Sequence, residues 1–456
     1  MTLLSKNSLQ SILIAGACSL GFIASIQADT MKIDLASALK LADEKNTTLA
    51  IQVEKSKQAT LAVQQAWLQW VPTVRFGISS AHQDGLLQET DGNLINAERN
   101  GRFDGFGLGG LGSGLAQKPG FSTEVDLAKS VFEPLAAKQR KIAVDANAEA
   151  SRLNILLDVS VAYYELAKAS RGLVLAKKAT RNAKDLAEVT SNFAESGEAL
   201  VADSERVAVE SLIQQQKLES SKSRLIEASS HLASLLQLEG DIQLEPETGM
   251  IATLSLAEKN SSLDELIAQA REKRPELRGI AAIRKAAEAE NRQNGIGLLL
   301  PKVGASYSST DFGGGLGSNN NLDGNRDETA VAVYWELDQL GLGSMNKNRI
   351  QKSKLREAEA LERQAQTDIV ARVTRAFAQW KSAERQLDLA KNAVTRARNA
   401  YQLSRERIYE NQGLPLEALQ AMKSLAETES MYLEAAANYN IAQLELISST
   451  GQKIAL

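Results

Sequence analysis

The chain has 456 residues, a formal net charge of −4 at pH 7, and 43% hydrophobic but only 5% aromatic residues. Because no basic excess exists to neutralise a phosphate backbone, we expect no nucleic-acid partner. The two histidines, His82 and His231, and the one cysteine, Cys18, exclude the usual histidine–cysteine metal sites and any disulfide framework. The sequence therefore predicts no metal and no cofactor.

Residues 1–28 have the pattern of an export signal. A basic Lys6 precedes a short apolar run, and a small residue, Ala28, stands at the expected cleavage point. The run is too short to cross a bilayer as a helix. Cys18 follows Ala-Gly-Ala, an imperfect version of a lipoprotein signal. Lipidation of Cys18 and a plain apolar role within the cleaved signal remain alternatives.

The rest of the chain contains one pattern twice. We interpret residues 29–245 and 261–456 as two structural repeats joined by a linker at 246–260. Each repeat predicts two helices, a strand that begins with proline, a glycine-rich loop, a second strand, one very long helix, a glycine-centred turn and a last helix. All seven prolines stand at the proposed boundaries, which leaves the long helical segments free of helix-breaking residues.

Residues 135–194 and 345–410 predict two very long helices. At about 1.5 Å per residue each would reach roughly 90–100 Å, which suits the bridging of a compartment. Apolar and small residues recur at steps of three and four along the second of these helices and along the last helix, which is coiled-coil spacing. The two seams are Val394, Ala397, Tyr401, Ser404, Ile408 and Leu425, Thr428, Tyr432, Ala435, Tyr439, Ala442, Leu446.

Alternating apolar and polar residues predict four strands, near residues 73–79, 124–131, 302–308 and 330–337. A bilayer tolerates no open sheet edge, so four strands cannot form a membrane barrel alone. Eight strands from two chains would leave an interior filled with side chains, whereas twelve from three chains leave a lumen. The predicted fold is mainly α with membrane β: a trimeric twelve-stranded β-barrel, four strands per chain, that continues into a long α-helical coiled-coil tunnel.

Glycine-rich segments at 101–114 and 313–321 separate the strands of each pair. Their G-x-G spacing occurs in nucleotide-binding loops, but no strand–turn–helix unit surrounds them. We interpret both segments as external loops.

The order of these features, in duplicate, resembles that of the TolC family of outer membrane efflux proteins over about residues 33–450. The motifs that carry the resemblance are Trp70-Val71-Pro72 and Leu299-Leu300-Pro301 before strands, Phe132-Glu133-Pro134 as a strand exit, Ala162-Tyr163-Tyr164, and two glycine turns. The resemblance implies a homotrimer whose barrel lies in the lipid of the outer membrane and whose tunnel crosses the periplasm. It also implies a periplasmic adaptor protein at the tunnel tips and an inner-membrane pump or ABC exporter.

By the same resemblance, the adaptor contacts are the helix tips Gly197, Glu198, Ala199, Gly413 and Leu414. Physically, a glycine in such a turn supplies the positive φ that reverses the chain.

Several family members narrow the closed mouth with an acidic residue just after the tip, and Asp203 matches that position. Counted in the same way from Gly413, the second repeat has Leu419, which breaks the pattern, and Glu417 is the nearest acid. Asp203 and Glu417 are therefore the candidate gate residues. Alternatively, Asp203 simply favours the positive end of its helix dipole.

The predicted function is that of an outer-membrane channel subunit, a passive exit duct of a tripartite efflux pump or a type I secretion system. No phosphate loop, metal cluster or nucleophile–base pair in the sequence indicates an enzyme. The alternative is an extracytoplasmic structural coiled-coil protein without a pore, which predicts no membrane strands. The cargo, whether small toxic molecules, metal ions or secreted proteins, stays open.

Overall fold

The computed structural model describes residues 29–71, 76–106, 121–198, 200–239, 242–247, 254, 261–313, 324–336, 338–410 and 414–454. The predicted signal segment 1–28 with Cys18 lies outside these ranges. So do the tip residues Ala199 and Gly413, most of the predicted linker, and parts of both glycine-rich segments.

The elements of the first half are β1 (Asp29–Ile33), α1 (Leu35–Lys45), α2 (Thr47–Trp67), β2 (Phe76–Gln88), β3 (Leu94–Phe106), β4 (Phe121–Asp126), α3 (Leu127–Glu195) and α4 (Val201–Leu235). Those that follow are β5 (Ile242–Pro246), α5 (Leu263–Lys273), α6 (Pro275–Asn294), β6 (Lys302–Gly313), β7 (Gly324–Tyr334), α7 (Leu342–Tyr409) and α8 (Pro415–Ser449). β1 and β5 pair in parallel. The two halves share one order of helices and strands, apart from the additional strand β3.

The two very long helices are confirmed. α3 has 69 residues and α7 has 68, so each reaches about 100 Å at 1.5 Å per residue. α3 begins earlier than predicted because the carboxylate of Asp126 caps it, accepting a hydrogen bond of 2.9 Å from the Lys129 amide. Its first residues, through Val131, are therefore helical rather than part of a strand.

The interpretation of Phe132-Glu133-Pro134 as a strand exit is wrong, because Pro134 lies inside α3. A proline there has no amide hydrogen for the carbonyl four residues earlier, that of Ser130. This carbonyl instead accepts a hydrogen bond of 3.1 Å from the indole Nε1 of Trp70. The substitute donor allows the helix to continue through Pro134.

Apart from the pair of β1 and β5, the strands form one five-stranded sheet, and the first half contributes three of these five instead of the predicted two. β2 and β3 pair antiparallel from Phe76 with Phe106 to Gln88 with Leu94. Gly101 therefore lies in a strand, which corrects the placement of the start of 101–114 in a loop. The signal that sequence reasoning missed is Asp91-Gly92, a typical hairpin-turn pair, and Gly92 has a φ of +91°.

Across its width the sheet nevertheless has four positions. β7 pairs with one edge of β6 from Lys302 to Phe312. On the other edge, β4 pairs with the segment that starts at Lys302 and β3 with the segment that ends at Gly313. β3 and β4 therefore share one position between β2 and β6.

The long helices pack through narrow seams of small and apolar residues. The predicted α7 seam is confirmed in all but Ser404, which is half-buried, because the other four residues are buried. The seam of α8 is broader than predicted: Leu425, Ala435, Ala442 and Leu446 are buried, but so is Leu433, whereas Tyr432 is only half-buried. α4 packs against α3, α3 against α8, and α8 against α7.

Candidate functional site

The tip between α3 and α4 is a regular helix-ending turn. The amide of Glu198 donates to the carbonyl of Phe193 at 2.8 Å, and that of Gly197 donates to the carbonyl of Ala194 at 3.2 Å. This Schellman pattern requires a left-handed residue, and Gly197 has a φ of +81°. The predicted chain-reversing role of Gly197 is confirmed. Glu198 is exposed beside it.

A leucine precedes the returning helix at each tip. Leu200 precedes α4 and Leu414 precedes α8, and neither makes a side-chain capping hydrogen bond. Both side chains are exposed. The sequence prediction included Leu414 but missed Leu200, although an apolar residue directly before the helix start is visible in both turns. The two tips therefore present the same kind of apolar end.

The two candidate gate residues occupy the same place in their helices. Asp203 is the third residue of α4, and Glu417 is the third residue of α8. The supposed break at Leu419 is therefore wrong, because five residues separate the helices at each tip but the glycine of the second turn stands two residues nearer to the start of the returning helix. Leu419 is buried in the core between the helices. The equivalent acids are Asp203 and Glu417.

Each of these acids forms an ion pair near a helix N-terminus, where the helix dipole favours negative charge. Asp203 Oδ1 is 2.9 Å from Nη1 of Arg206, one turn further along α4. Glu417 Oε2 is 3.3 Å from Nη1 of Arg407 near the end of α7. Asp203 therefore lies where it stabilises the positive end of its helix dipole, as the alternative interpretation predicts. Its role in gating remains a prediction.

Two buried carboxylates connect the helices behind the tips, and sequence reasoning missed both. Glu210 Oε2 on α4 is 2.7 Å from Lys423 Nζ on α8, and its Oε1 accepts from Gln214 Nε2 at 2.6 Å. Glu429 Oε1 on α8 is 2.9 Å from Lys178 Nζ on α3 and 3.4 Å from an Nη atom of Arg398 on α7. Since buried charges are costly without partners, these pairs hold the helices at defined relative levels.

Exposed apolar side chains surround the junction between the sheet and the helices. Trp67, Trp70, Leu299, Trp335 and Leu340 are all exposed there. We call these five residues the rim. The indole Nε1 of Trp335 donates to the carbonyl of Leu299 at 3.2 Å, as that of Trp70 donates to α3. Both indoles thus bond their polar tip to protein and leave the ring outside, as interfacial tryptophans do.

Among the residues that the structure describes, no helix is both long enough and apolar enough to cross a membrane.

A comparison with known protein families finds a match in the second half of the chain. Residues 266–452 match the family model of the outer membrane efflux protein. The matched residues run from α5 to just beyond the end of α8, so the second half of the chain carries the sequence pattern of this family. No curated protein matches the chain significantly.

Several solved channels have the same fold as this chain. The outer-membrane channel OprN is 17% identical over 91% of this chain and 89% of its own, with a TM-score of 0.76. The CmeC outer membrane channel of Campylobacter jejuni is 14% identical over 98% of this chain and 94% of its own, with a TM-score of 0.74. The open state of the MtrE outer membrane channel of Neisseria gonorrhoeae is 18% identical over 92% and 89%, with a TM-score of 0.71.

Proposed function

We propose that the chain is one of three identical subunits of an outer-membrane channel, a passive exit duct of a tripartite efflux pump or a type I secretion system. The observation that carries the proposal is one arrangement of three parts. A sheet with open edges stands at one end of two helices of about 100 Å, and the exposed rim separates them. The match of residues 266–452 to the outer membrane efflux protein model supports the same interpretation.

The sheet edges are the reason for three copies. In the part of the chain that the structure describes, β2 pairs only with β3, and β7 pairs only with β6. Unpaired backbone groups in a bilayer cost several kcal/mol each, so the two edges require partners there. Three copies of a sheet with four positions give a twelve-position barrel, which is wide enough for a lumen.

The rim supports a membrane boundary at the junction between the sheet and the helices. Tryptophan side chains are enriched at the boundary between lipid and water. With the sheet in the outer membrane of a Gram-negative-type cell, α3 and α7 extend from the rim across the periplasm. The tips then reach the level of a periplasmic adaptor protein. The adaptor contacts in this proposal are Gly197, Glu198, Ala199, Gly413 and Leu414.

The remaining sequence predictions belong to this proposal. The two repeats, 29–245 and 261–456, each supply half of the chain's sheet and one helical hairpin. Because the sequence contains no phosphate-binding loop, energy comes from an inner-membrane pump or ABC exporter. Detectable ATP hydrolysis by the purified subunit would contradict this assignment.

At the periplasmic mouth, Asp203 and Glu417 from three chains form acidic rings that attract cations. Replacing both acids, as Asp203→Asn with Glu417→Gln, is expected to reduce the preference of the channel for cations. An unchanged ratio of cation to anion permeability would contradict a gate at these residues.

The direct test of assembly is the mass of the purified chain in detergent, together with its membrane fraction. Three chains per particle, recovered from outer membranes, are the expected result. A monomer that stays soluble without detergent would overturn the proposal. The structural coiled-coil protein without a pore would then be the better interpretation.

A further inference from the structure

A row of exposed basic residues lies near the start of α7. Arg349, Lys352 and Arg356 follow Met345 at steps of four, three and four residues, so the four side chains share one face of the helix. All four are exposed. The sequence from Leu342 to Arg356 contains no aspartate or glutamate. We call Arg349, Lys352 and Arg356 the basic row.

The chain itself does not neutralise the basic row. In the part of the chain that the structure describes, Arg349 and Lys352 form no ion pair. Arg356 donates from Nε to the backbone carbonyl of Lys352 at 3.4 Å, which leaves its charge uncompensated. Residues 58–70, in the second half of α2 and just beyond it, are all uncharged. A cluster of like charges without partners attracts a source of the opposite charge.

Two close contacts of α6 give the level of the basic row. A Cβ on Gly297 would lie 2.8 Å from the Cβ of Ala128 on α3, so these two residues are level. Because α6 runs antiparallel to α3, Gly295 is near the level of Ser130. A Cβ on Gly295 would also lie 3.8 Å from Nδ2 of Asn348 on α7. Asn348 therefore lies near the level of Ser130.

This level is that of the rim, because the indole of Trp70 bonds to the carbonyl of Ser130. At about 1.5 Å per residue, Arg349 and Lys352 lie roughly 2 and 6 Å beyond it towards the tips, and Arg356 roughly 12 Å. The polar layer of a bilayer is roughly 5–7 Å thick on each side of the hydrocarbon. Arg349 and Lys352 are thus at the depth of lipid headgroups, and the long side chain of Arg356 extends back towards them.

The basic row lies on the outer side of the helix layer. Further steps of three and four residues along the same face of α7 lead to Gln366, which lines a cavity with Arg278 of α6. Arg278 pairs with Glu149 of α3, and Glu149 lines a cavity with Asp43 of α1. The short helix α1 therefore covers this side. Because a duct needs an open lumen, the side that α1 covers is the outside.

α3 adds one base to the same side. Lys138 is exposed, and it stands eight residues beyond Ser130, as Arg356 stands eight residues beyond Asn348. Steps of four, three and four residues lead from Lys138 to Glu149, so both share the outer face of α3. Lys138 also forms no ion pair among the described residues. The positive charge therefore continues from α7 to α3 around the outside.

We propose that the basic row binds the anionic headgroups of phospholipids in the periplasmic leaflet of the outer membrane. The inference rests on the proposed function, which places the sheet in this membrane and the basic row outside the duct. Guanidinium and ammonium groups donate hydrogen bonds to phosphate oxygens. A headgroup with net negative charge is preferred, because a neutral headgroup carries its own cation beside the phosphate. Three chains give three basic rows around the channel.

Lipid selectivity is the first test. The purified oligomer is stripped of lipid and mixed in detergent with equal amounts of phosphatidylglycerol and phosphatidylcholine of the same acyl chains. Lipid that stays bound through gel filtration is quantified by mass spectrometry. We expect phosphatidylglycerol to be enriched about fivefold, the preference that one base near an anionic surface gives, and the enrichment to fall at high salt. Equal binding of both lipids would overturn the proposal.

Inorganic phosphate separates a lipid from a free anion. An excess of inorganic phosphate at constant ionic strength should leave most of the phosphatidylglycerol bound, because the acyl chains hold the headgroup at the rim. Complete displacement by inorganic phosphate would show a site for a free anion and would overturn the assignment to lipid.

Charge removal gives the matched comparison. Arg349→Gln with Lys352→Gln should abolish the enrichment of phosphatidylglycerol. The control, Lys354→Gln with Arg363→Gln, removes the same charge from exposed positions of the same helix. Lys354 lies on the opposite flank of α7 from Lys352, and Arg363 lies roughly 22 Å from the level of Ser130. The control should therefore keep the enrichment.

The mass of each variant in detergent confirms that it assembles. A trimer of the unmodified chain without lipid preference, or a control that loses the preference as fully as Arg349→Gln with Lys352→Gln does, would overturn the lipid site and leave the channel intact. An unmodified chain that does not form a trimer would overturn the proposed function itself.

Discussion

Asn46 and Arg274 make the same contact in the two halves of the chain. Each precedes the second short helix of its half, and each donates a side-chain hydrogen bond to a carbonyl at the end of a helix that returns from the tip. Asn46 Nδ2 donates to Leu235 at 3.2 Å, and Arg274 Nε donates to Ser449 at 3.0 Å. Helix ends leave carbonyls without partners, and these side chains supply donors for them.

Arg274→Ala is expected to be strongly destabilising. Arg274 is 4% exposed and also donates to the carbonyl of Ser448 at 3.2 Å. Its loss removes the donor to the Ser449 carbonyl, whereas the Ser448 carbonyl still accepts from the Gly451 amide at 2.9 Å, so we expect a cost of about 1–3 kcal/mol. The control is Arg278→Ala one turn later, because Arg278 is exposed and pairs with Glu149 at the surface. An exposed pair contributes below about 1 kcal/mol. Equal losses of melting temperature for both variants would contradict the capping role.

Two glycines with positive φ differ in their surroundings, and this difference sets the cost of a side chain. Gly197 has a φ of +81°, and an added Cβ would meet nothing within 4 Å. Gly451 has a φ of +76°, and its Cβ would approach the backbone of Arg274 and Lys273 at 3.0 Å. Gly197→Ala should cost only about 1–2 kcal/mol, the conformational term. Gly451→Ala should lower the melting temperature more than Gly197→Ala does. A larger loss of melting temperature for Gly197→Ala would contradict the described packing.

The hydrogen bond from the Trp70 indole to the Ser130 carbonyl can be tested by restoring the backbone amide at position 134. Trp70→Phe keeps an aromatic ring but removes Nε1, so we expect a loss of about 1 kcal/mol. Pro134→Ala returns an amide hydrogen to the carbonyl of Ser130. In the Trp70→Phe background it should therefore stabilise more than in the unchanged chain. Equal effects of Pro134→Ala in both backgrounds, by thermal unfolding, would show that the indole does not replace the amide.

Glu445 gives the protein a pH dependence. Burial raises the pKa of Glu445 above its ordinary value of 4.5, so the folded state holds the proton more tightly than the unfolded state. The stabilisation is complete below the unfolded pKa and is lost as pH rises through the folded pKa. Glu445→Gln should therefore raise the melting temperature at pH 7 and have little effect at pH 4. Glu427→Gln is the control, because Glu427 is exposed. An increase in the melting temperature of Glu445→Gln that is the same at both pH values would contradict the account.

The sequence was sufficient for the features that have a long period or a local cause. The long helices, the α7 seam and the turn at Gly197 follow from proline placement, heptad spacing and the φ preference of glycine. The continuation of α3 through Pro134 could not be predicted, because it depends on Trp70, sixty residues away from Ser130. The end of β4 has a local cause, the cap by Asp126, which the alternating pattern does not show. Alternation alone extended that strand too far.

The candidate site was harder to predict than the helices, because its contacts join residues that are far apart in the sequence. Counting from the tip glycine separated Asp203 from its equivalent, whereas counting from the helix start places Glu417 opposite it. The partners of Glu210 and Glu429 lie on other long helices, and no local spacing indicates them. Long-range pairs of this kind follow only from the relative levels of the helices.

Planar-bilayer conductance of the purified, detergent-extracted oligomer tests the central claim most directly. The account predicts discrete conductance steps that are small, because the periplasmic mouth is constricted, and that come only from particles of three chains. Preparations with the expected trimer mass that never conduct, at any applied voltage, would contradict the assignment of the sheet and helices to a duct.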